Sequence, residues 1–119
     1  EAASDGLETT YLGLHFPATD IPQRSRDLFT SCKVRQVVDM EAVPAEIIWS
    51  KHKPTESIAN SNSTLRAVHP CHKEYMRTMG IRGSLVLSVM SGNNLWGLIV
   101  CHNYDQPLFL PYPKRAALE

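Results

Sequence analysis

A cysteine inside "STLRAVHPCHKEYMRTMG", residues 63–80, is the feature of this sequence best suited to chemistry. Cys71 stands between two histidines, His69 and His72. A thiol beside imidazoles can ligate a metal, act as a nucleophile in hydrolysis, or anchor a cofactor covalently. The plain alternative is a small side chain that only packs.

Residue spacing disfavours the first two interpretations. A metal site normally needs ligands from a second short-spaced cluster, and only Cys101 with His102 offers one. Neighbouring helical residues point about 100 degrees apart, so His72 is badly placed to take the proton of Cys71. His102 is the better candidate base, but no third group to orient it is visible. We therefore predict neither a metal site nor a catalytic site.

A cofactor anchor fits the surroundings of Cys71 better. A helix N-terminus favours a thiolate, and a thiolate adds readily to a conjugated electrophile. Such a ligand would be large, flat and apolar, with a few charged groups. Arg35 and Arg66 could each hold a carboxylate through a two-pronged contact. Taken singly, an arginine is more often a surface residue, and a single thiol in such a domain is more often inert packing.

Helices and strands must position these residues. The residue pattern predicts a helix over residues 22–33, a strand over 34–40 and an irregular segment over 41–62. A second helix follows from about 70 to 79, then two strands over 82–90 and 95–103 that are joined by a hairpin, and finally a tail that leads into a helix. Thr19 or Asp20 is placed to cap the first helix, and Gly80 to end the second. The order indicates an α+β domain with a central antiparallel sheet flanked by helices.

The two hairpin strands carry unusual polar residues. Ser84 and Ser88 fall on one side of the first strand, and His102 ends the second strand on the side that also carries Trp96. Buried hydroxyls and imidazoles need hydrogen-bond partners, so the pattern indicates a pocket for a polar ligand. A solvent-facing side of the sheet explains the alternation equally well.

Composition narrows the class of protein. The chain has 119 residues, with twelve basic and twelve acidic side chains. The length fits one domain, and the balanced charge disfavours nucleic-acid binding. No apolar run approaches the roughly 18 residues of a membrane helix. Three widely separated cysteines indicate a reducing, cytoplasmic location, and the abrupt ends predict a piece of a longer protein.

Four segments in this order resemble the GAF domain of phytochromes, the bilin-binding photoreceptors. "YLGLHFPATDIPQ" looks like the signature of that domain, and residues 63–80 resemble its chromophore-attachment segment. "LWGLIVCHN" is similar to the strand that closes the pocket, and "PLFLPYPKRAALE" resembles the exit helix of plant and algal members. The resemblance implies a single partial GAF domain over residues 1–119, without its N-terminal strands.

The resemblance also implies which residues contact the bilin, a linear tetrapyrrole. Cys71 matches the residue that forms a thioether to ring A, and His72 matches an imidazole that stacks near the inner pyrroles. Asp20 matches an aspartate whose carbonyl faces the pyrrole nitrogens, and Ile21 packs against the inner rings. His102 matches the histidine near the ring D carbonyl. The aromatic walls around ring D, which isomerises in the light, are Phe16 and Tyr75.

The propionates of the bilin would meet the other matching residues. Arg35 and Arg66 match positions that pair with one propionate, and Ser84 matches a contact to the other. Val86 stands where relatives often carry a hydroxyl, which implies that one propionate contact is missing. Pro70, directly before the cysteine, departs from plant members and resembles biliverdin-binding relatives.

The implied cofactor is phycocyanobilin or phytochromobilin. Biliverdin is disfavoured, because in that subfamily the attaching cysteine lies upstream of the GAF domain. The implied function is red/far-red light sensing without enzymatic turnover, with the signal passed to PAS and PHY domains and to any histidine kinase outside this chain. The full-length protein is expected to dimerise, and a plant-type protein to enter the nucleus in the light. The alternative is a pigment-free GAF domain that senses a small ligand or dimerises.

Overall fold

This computed structural model describes residues 10–49 and 58–118. Its elements, in chain order, are a 3-10 turn (Ala18–Asp20), α1 (Gln23–Ser31), β1 (Val34–Val37), α2 (Pro70–Thr78), β2 (Gly83–Ser91), β3 (Asn94–Asn103) and α3 (Tyr112–Ala116). The helices and strands follow the predicted order. An antiparallel sheet with helices beside it confirms the α+β class.

The three strands form one sheet in the order β1-β2-β3, with antiparallel pairing throughout. The predicted hairpin joins β2 to β3, and Gly92 in its turn has a φ of 59°, a conformation that favours glycine. β1 is shorter than predicted. Its pairing stops at Val37, because the chain then turns so that the Met40 amide donates to the Arg82 carbonyl at 2.7 Å.

The core lies where α2 meets the end of β1. Met40, Met76 and Ile81 are its buried members, each 3 % exposed or less. Gly80, with a φ of 70°, ends α2 as expected and lets the chain return to the sheet. Since Met76 belongs to α2, this burial fixes the helix that carries Cys71.

Two expectations about hydroxyl and carboxyl groups were wrong. Neither Thr19 nor Asp20 caps α1, since both lie in or beside the 3-10 turn and the N-cap is Pro22, without a side-chain hydrogen bond. Ser88 does not supply a hydroxyl to a pocket either. Its Oγ donates to the Phe29 carbonyl at 2.7 Å, which joins β2 to the last turn of α1.

Two ion pairs hold the segment after β1. Arg82 meets Asp39 through two hydrogen bonds of 2.5 and 2.9 Å. Arg77, near the end of α2, meets Glu41 in the same two-pronged manner. The start of the predicted irregular segment is therefore fastened to α2 and to the loop that follows it.

The tail after β3 returns to β1. The Leu108 amide donates to the Val38 carbonyl at 2.8 Å, and the Leu110 amide donates to Oε1 of the buried Gln36 at 3.1 Å. A Cβ placed on Gly83 would lie 2.6 Å from Leu108, so only glycine allows this approach. Over the described ranges, no helix has the length and apolar character needed to cross a membrane.

Candidate functional site

Cys71 is presented at the start of α2. Pro70 occupies the first turn, where its missing N–H costs nothing, and His69 at the N-cap is extended, with a φ of -61° and a ψ of 134°. Cys71 is therefore the second helical residue, close to the positive end of the helix dipole. Its thiol is free and exposed. This is the location expected of an attachment residue.

One side of the sheet gathers four of the predicted site residues. Ser84 pairs with His102 across β2 and β3, and Val86 pairs with Arg35 across β2 and β1. Side chains of directly paired residues point to the same side, as do those two apart on one strand. Arg35, Ser84, Val86 and His102 therefore share one side of the sheet, with Ser84 buried and the others partly exposed.

Two histidines from different elements approach each other. Desolvation is the main cause that lowers the pKa of His72, and the Coulomb interactions with Arg66 and then His69 lower it further. Desolvation also lowers the pKa of His102, with His72 as the second cause. The side chains of His72 and His102 are thus near enough to interact electrostatically. Both imidazoles are neutral at pH 7, because their pKa values lie below the ordinary 6.5.

Two arginines lie close together without an acidic partner. Desolvation first, and the positive Arg35 second, lower the pKa of Arg66. Arg66 donates to the carbonyls of Ser63 at 3.0 Å and Gln36 at 3.4 Å, while Arg35 donates to that of Ser61 at 3.0 Å. In the part of the chain that the structure describes, neither guanidinium meets a carboxylate. The pair is suited to bind an anion.

The remaining predicted residues are exposed. Asp20 and Ile21 are exposed at the 3-10 turn, and Phe16 is 54 % exposed, with its ring 6.4 Å from that of Tyr11. Tyr75, one turn after Cys71, is 42 % exposed. Within residues 10–49 and 58–118, no hydrogen bond or ion pair links these four to Arg35, Arg66, His72 or His102.

A cavity of about 170 Å³ lies elsewhere, between the end of β1 and the segments 42–45 and 64–68. Arg66 and Lys73 border it, whereas Cys71, His72 and His102 do not. It is also smaller than the few hundred Å³ that sites for small organic ligands typically occupy. We therefore do not assign it to the predicted ligand. Among the described residues, no three His, Cys, Asp or Glu side chains group as metal ligands.

Sequence reasoning missed three polar residues that support the site. Gln36 is buried and links β1 both to Arg66 and to the tail. Arg82 pairs with Asp39, and Arg26 holds two backbone carbonyls of the turn that contains Asp20. Only Gln36 left a usable signal, as an uncharged polar residue between Arg35 and Val37 on a strand that the sequence predicts. The two arginines look like ordinary surface charges in the sequence.

Comparison with known proteins places this arrangement in a family. The family model described as "GAF domain" matches residues 3–118. Phytochrome C of Arabidopsis thaliana is 46% identical over 123 residues, and a phytochrome of Mougeotia scalaris is 43% identical over 122 residues. Each alignment covers 92% of this chain and 11% of the relative, so the chain spans about a tenth of their length.

Solved structures agree in fold. The chromophore-binding domain of a Stigmatella aurantiaca phytochrome superposes with a TM-score of 0.85 at 38% identity, covering 98% of this chain and 38% of that one. The photosensory core module from the same organism gives a TM-score of 0.87 at 37% identity, over 98% of this chain and 23% of that one. The chain thus belongs to the GAF domain family, and within that family it resembles the GAF domains of phytochromes.

Proposed function

We propose that this chain binds a bilin covalently through Cys71 and serves as the light-sensing domain of a phytochrome. The observation that carries the proposal is a free, exposed thiol at the start of α2 whose neighbour His72 interacts with Arg66, a guanidinium that lies beside Arg35 and meets no carboxylate in the described residues. A bilin has matching parts, namely an electrophilic ring A, a flat ring system and two propionates. The phytochrome relatives support this assignment.

Attachment is an addition reaction within the pocket. The Cys71 thiol would add across a conjugated double bond at ring A, so that one C–S bond forms, that double bond becomes single, and the thiol proton ends on the neighbouring carbon. Nothing is oxidised and nothing leaves, so each molecule reacts once and no catalytic cycle follows. The helix dipole at the start of α2 favours the thiolate.

The other residues then hold and orient the pigment. Arg35 and Arg66 would hold one propionate and Ser84 the other. Neutral His72 and Ile21 would pack against the inner pyrroles, and the Asp20 carbonyl would face the pyrrole nitrogens. Neutral His102 can donate to or accept from the ring D carbonyl. Phe16 and Tyr75 flank ring D, which isomerises on light absorption, and the movement is passed to neighbouring domains.

The wider setting follows from the same proposal. Phycocyanobilin or phytochromobilin is the expected pigment, and PAS and PHY domains are the expected neighbours of this segment. Dimerisation would belong to the longer protein. We expect that protein to reside in the cytoplasm and, if it is plant-type, to reach the nucleus in the light.

Co-expression of the full chain with bilin-synthesis enzymes tests the attachment. We expect colour that survives denaturing electrophoresis in the wild type and is lost in Cys71→Ala. Cys101→Ala is the matched control. Cys101 is also free and exposed, but it pairs with Leu85 and so lies on the opposite side of the sheet from Ser84 and His102. Its label should be unchanged. Red and far-red illumination should then change the absorption spectrum reversibly.

Two results would overturn the proposal. A wild type without covalent pigment would favour a pigment-free GAF domain, which senses a small ligand or mediates dimerisation. A label that persists in Cys71→Ala but disappears in Cys101→Ala would place the attachment on the wrong side of the sheet.

A further inference from the structure

Arg26 spans the turn that carries Asp20. Its side chain projects from the first half of α1, and Nε donates to the Ile21 carbonyl at 2.8 Å. Nη2 donates to the Ala18 carbonyl at 2.7 Å. These two nitrogens form one edge of the planar guanidinium, the same edge that grips a carboxylate with two parallel bonds. The two carbonyls lie on either side of Asp20 in the chain.

Few other interactions hold this turn. Its internal backbone hydrogen bond runs from the Asp20 amide to the Pro17 carbonyl at 3.1 Å. Pro22 at the N-cap of α1 has no N–H to donate, and no side chain caps the helix. Ala18, Asp20 and Ile21 are all exposed, so burial contributes little to fixing their position. The two hydrogen bonds from the Arg26 guanidinium are thus the main interactions that hold the turn against α1.

The Asp20 carboxylate is left free by this arrangement. Arg26 engages main-chain oxygens and not the carboxylate, and in the described ranges the Asp20 side chain makes no hydrogen bond or ion pair. A free carboxylate stabilises a nearby cation, and the stabilisation is larger when the turn holds the two charges closer together. Lysine could not substitute fully, because one ammonium group lacks the two fixed parallel donors.

We infer that Arg26 is a positioning residue that fixes the Asp20 turn against the bound pigment and so keeps the pigment protonated. This inference rests on the proposed function, because it takes the cationic bilin as the partner of Asp20. Arg26 itself does not touch the pigment. Its effect is transmitted through the carbonyls of Ala18 and Ile21.

The test compares Arg26→Ala and Arg26→Lys with the matched control Arg24→Ala. Arg24 lies two residues earlier on α1, is exposed, and makes no side-chain hydrogen bond in the described part of the chain. In the pigment-free full chain, hydrogen exchange of the Asp20 amide, which donates to the Pro17 carbonyl, should accelerate about tenfold in Arg26→Ala, as the loss of charge-assisted hydrogen bonds implies. Arg26→Lys should be intermediate and Arg24→Ala unchanged.

The pigmented protein supplies a readout that mere loss of stability would not move. Titration of the bilin absorption band should show the pigment pKa lowered by about one unit in Arg26→Ala, partly restored in Arg26→Lys, and lowered also in Asp20→Asn. If Asp20→Asn lowers the pigment pKa and Arg26→Ala does not, the inference is wrong and the proposed function stands. A wild type that takes up no bilin overturns the proposed function instead. Unchanged amide exchange in Arg26→Ala would show, with or without pigment, that Arg26 does not fix the Asp20 turn.

Discussion

His72 on α2 and His102 at the end of β3 lie close enough that a proton on His72 lowers the pKa of His102. Both pKa values are lowered chiefly by desolvation. Below the ordinary histidine pKa of 6.5, the folded protein therefore binds fewer protons than the unfolded chain. The free energy of unfolding consequently decreases as the pH falls through that value. The stability of the neutral pair is complete above that pH and is lost below it.

Replacement of one imidazole should flatten this pH dependence. In His102→Gln, which cannot gain a proton, the free energy of unfolding should fall less between about pH 7.5 and pH 5 than in the wild type. Urea denaturation at several pH values measures both slopes. Identical slopes would mean that His102 is as easily protonated in the folded chain as in the unfolded one.

The Arg82–Asp39 pair should matter at neutral pH and not in acid. The hydrogen bond from Arg82 is the main cause that lowers the pKa of Asp39, followed by the Glu41 amide. A carboxyl group with a lowered pKa stabilises the fold above its unfolded-state pKa, near 3.8, and this contribution is lost as the pH falls through the folded-state value. Asp39→Asn should lower the melting temperature by at most about 5 °C at pH 7, because the pair is partly exposed and water screens its charges.

The acid series distinguishes this pair from a packing effect. The difference in melting temperature between wild type and Asp39→Asn should shrink as the pH is lowered below about 4. A difference that is equally large at pH 3 and pH 7 would show that the substitution disturbs packing around residues 39–42 instead.

Elements fixed by local pattern could be predicted from the sequence. The β2–β3 hairpin follows from alternation on both sides of "SGNN", and α2 follows from a proline at its start and a glycine after its end. The shortening of β1 could not be foreseen, because it depends on Met40 turning into a core shared with α2. The Ser88 hydroxyl was misread for the same reason, since its acceptor lies 59 residues away in the chain.

The site was predictable in its residue types and not in its arrangement. Cys71 directly follows Pro70, so the position of the thiol at a helix start followed from the chain alone, whereas its exposure did not. The approach of His72 to His102 needs α2 to lie against one end of the sheet, which no local pattern specifies. The role of Arg26 depends on a side-chain direction, which sequence spacing does not give.

Substitution of Gly83 should loosen the tail after β3. In Gly83→Ala the new Cβ would lie 2.6 Å from the Leu108 backbone nitrogen and 3.0 Å from the Val38 carbonyl oxygen, neither of which can move cheaply. We expect the free energy of unfolding to fall by about 1–3 kcal/mol, the usual cost of overpacking, and the Leu108 amide to exchange faster. Gly97→Ala is the control, because its Cβ would meet nothing within 4 Å. Equal losses in both variants would mean that the effect is a general one of glycine in this sheet.

The anion preference of Arg66 can be tested by changing both partners. Arg66 is partly buried beside Arg35 with no carboxylate in the described residues, so a propionate would relieve its unfavourable surroundings. Arg66→Gln should slow the uptake of bilin by about tenfold to a hundredfold, the range expected for one lost charge-assisted hydrogen bond. The wild type should lose a similar factor with the bilin dimethyl ester, whose propionates are neutral. If the substitution and the esterification remove the same contact, the Arg66→Gln variant should take up the ester and the free acid at nearly the same rate. Losses that multiply would show that Arg66 acts through its bonds to Ser63 and Gln36 and not on the propionate.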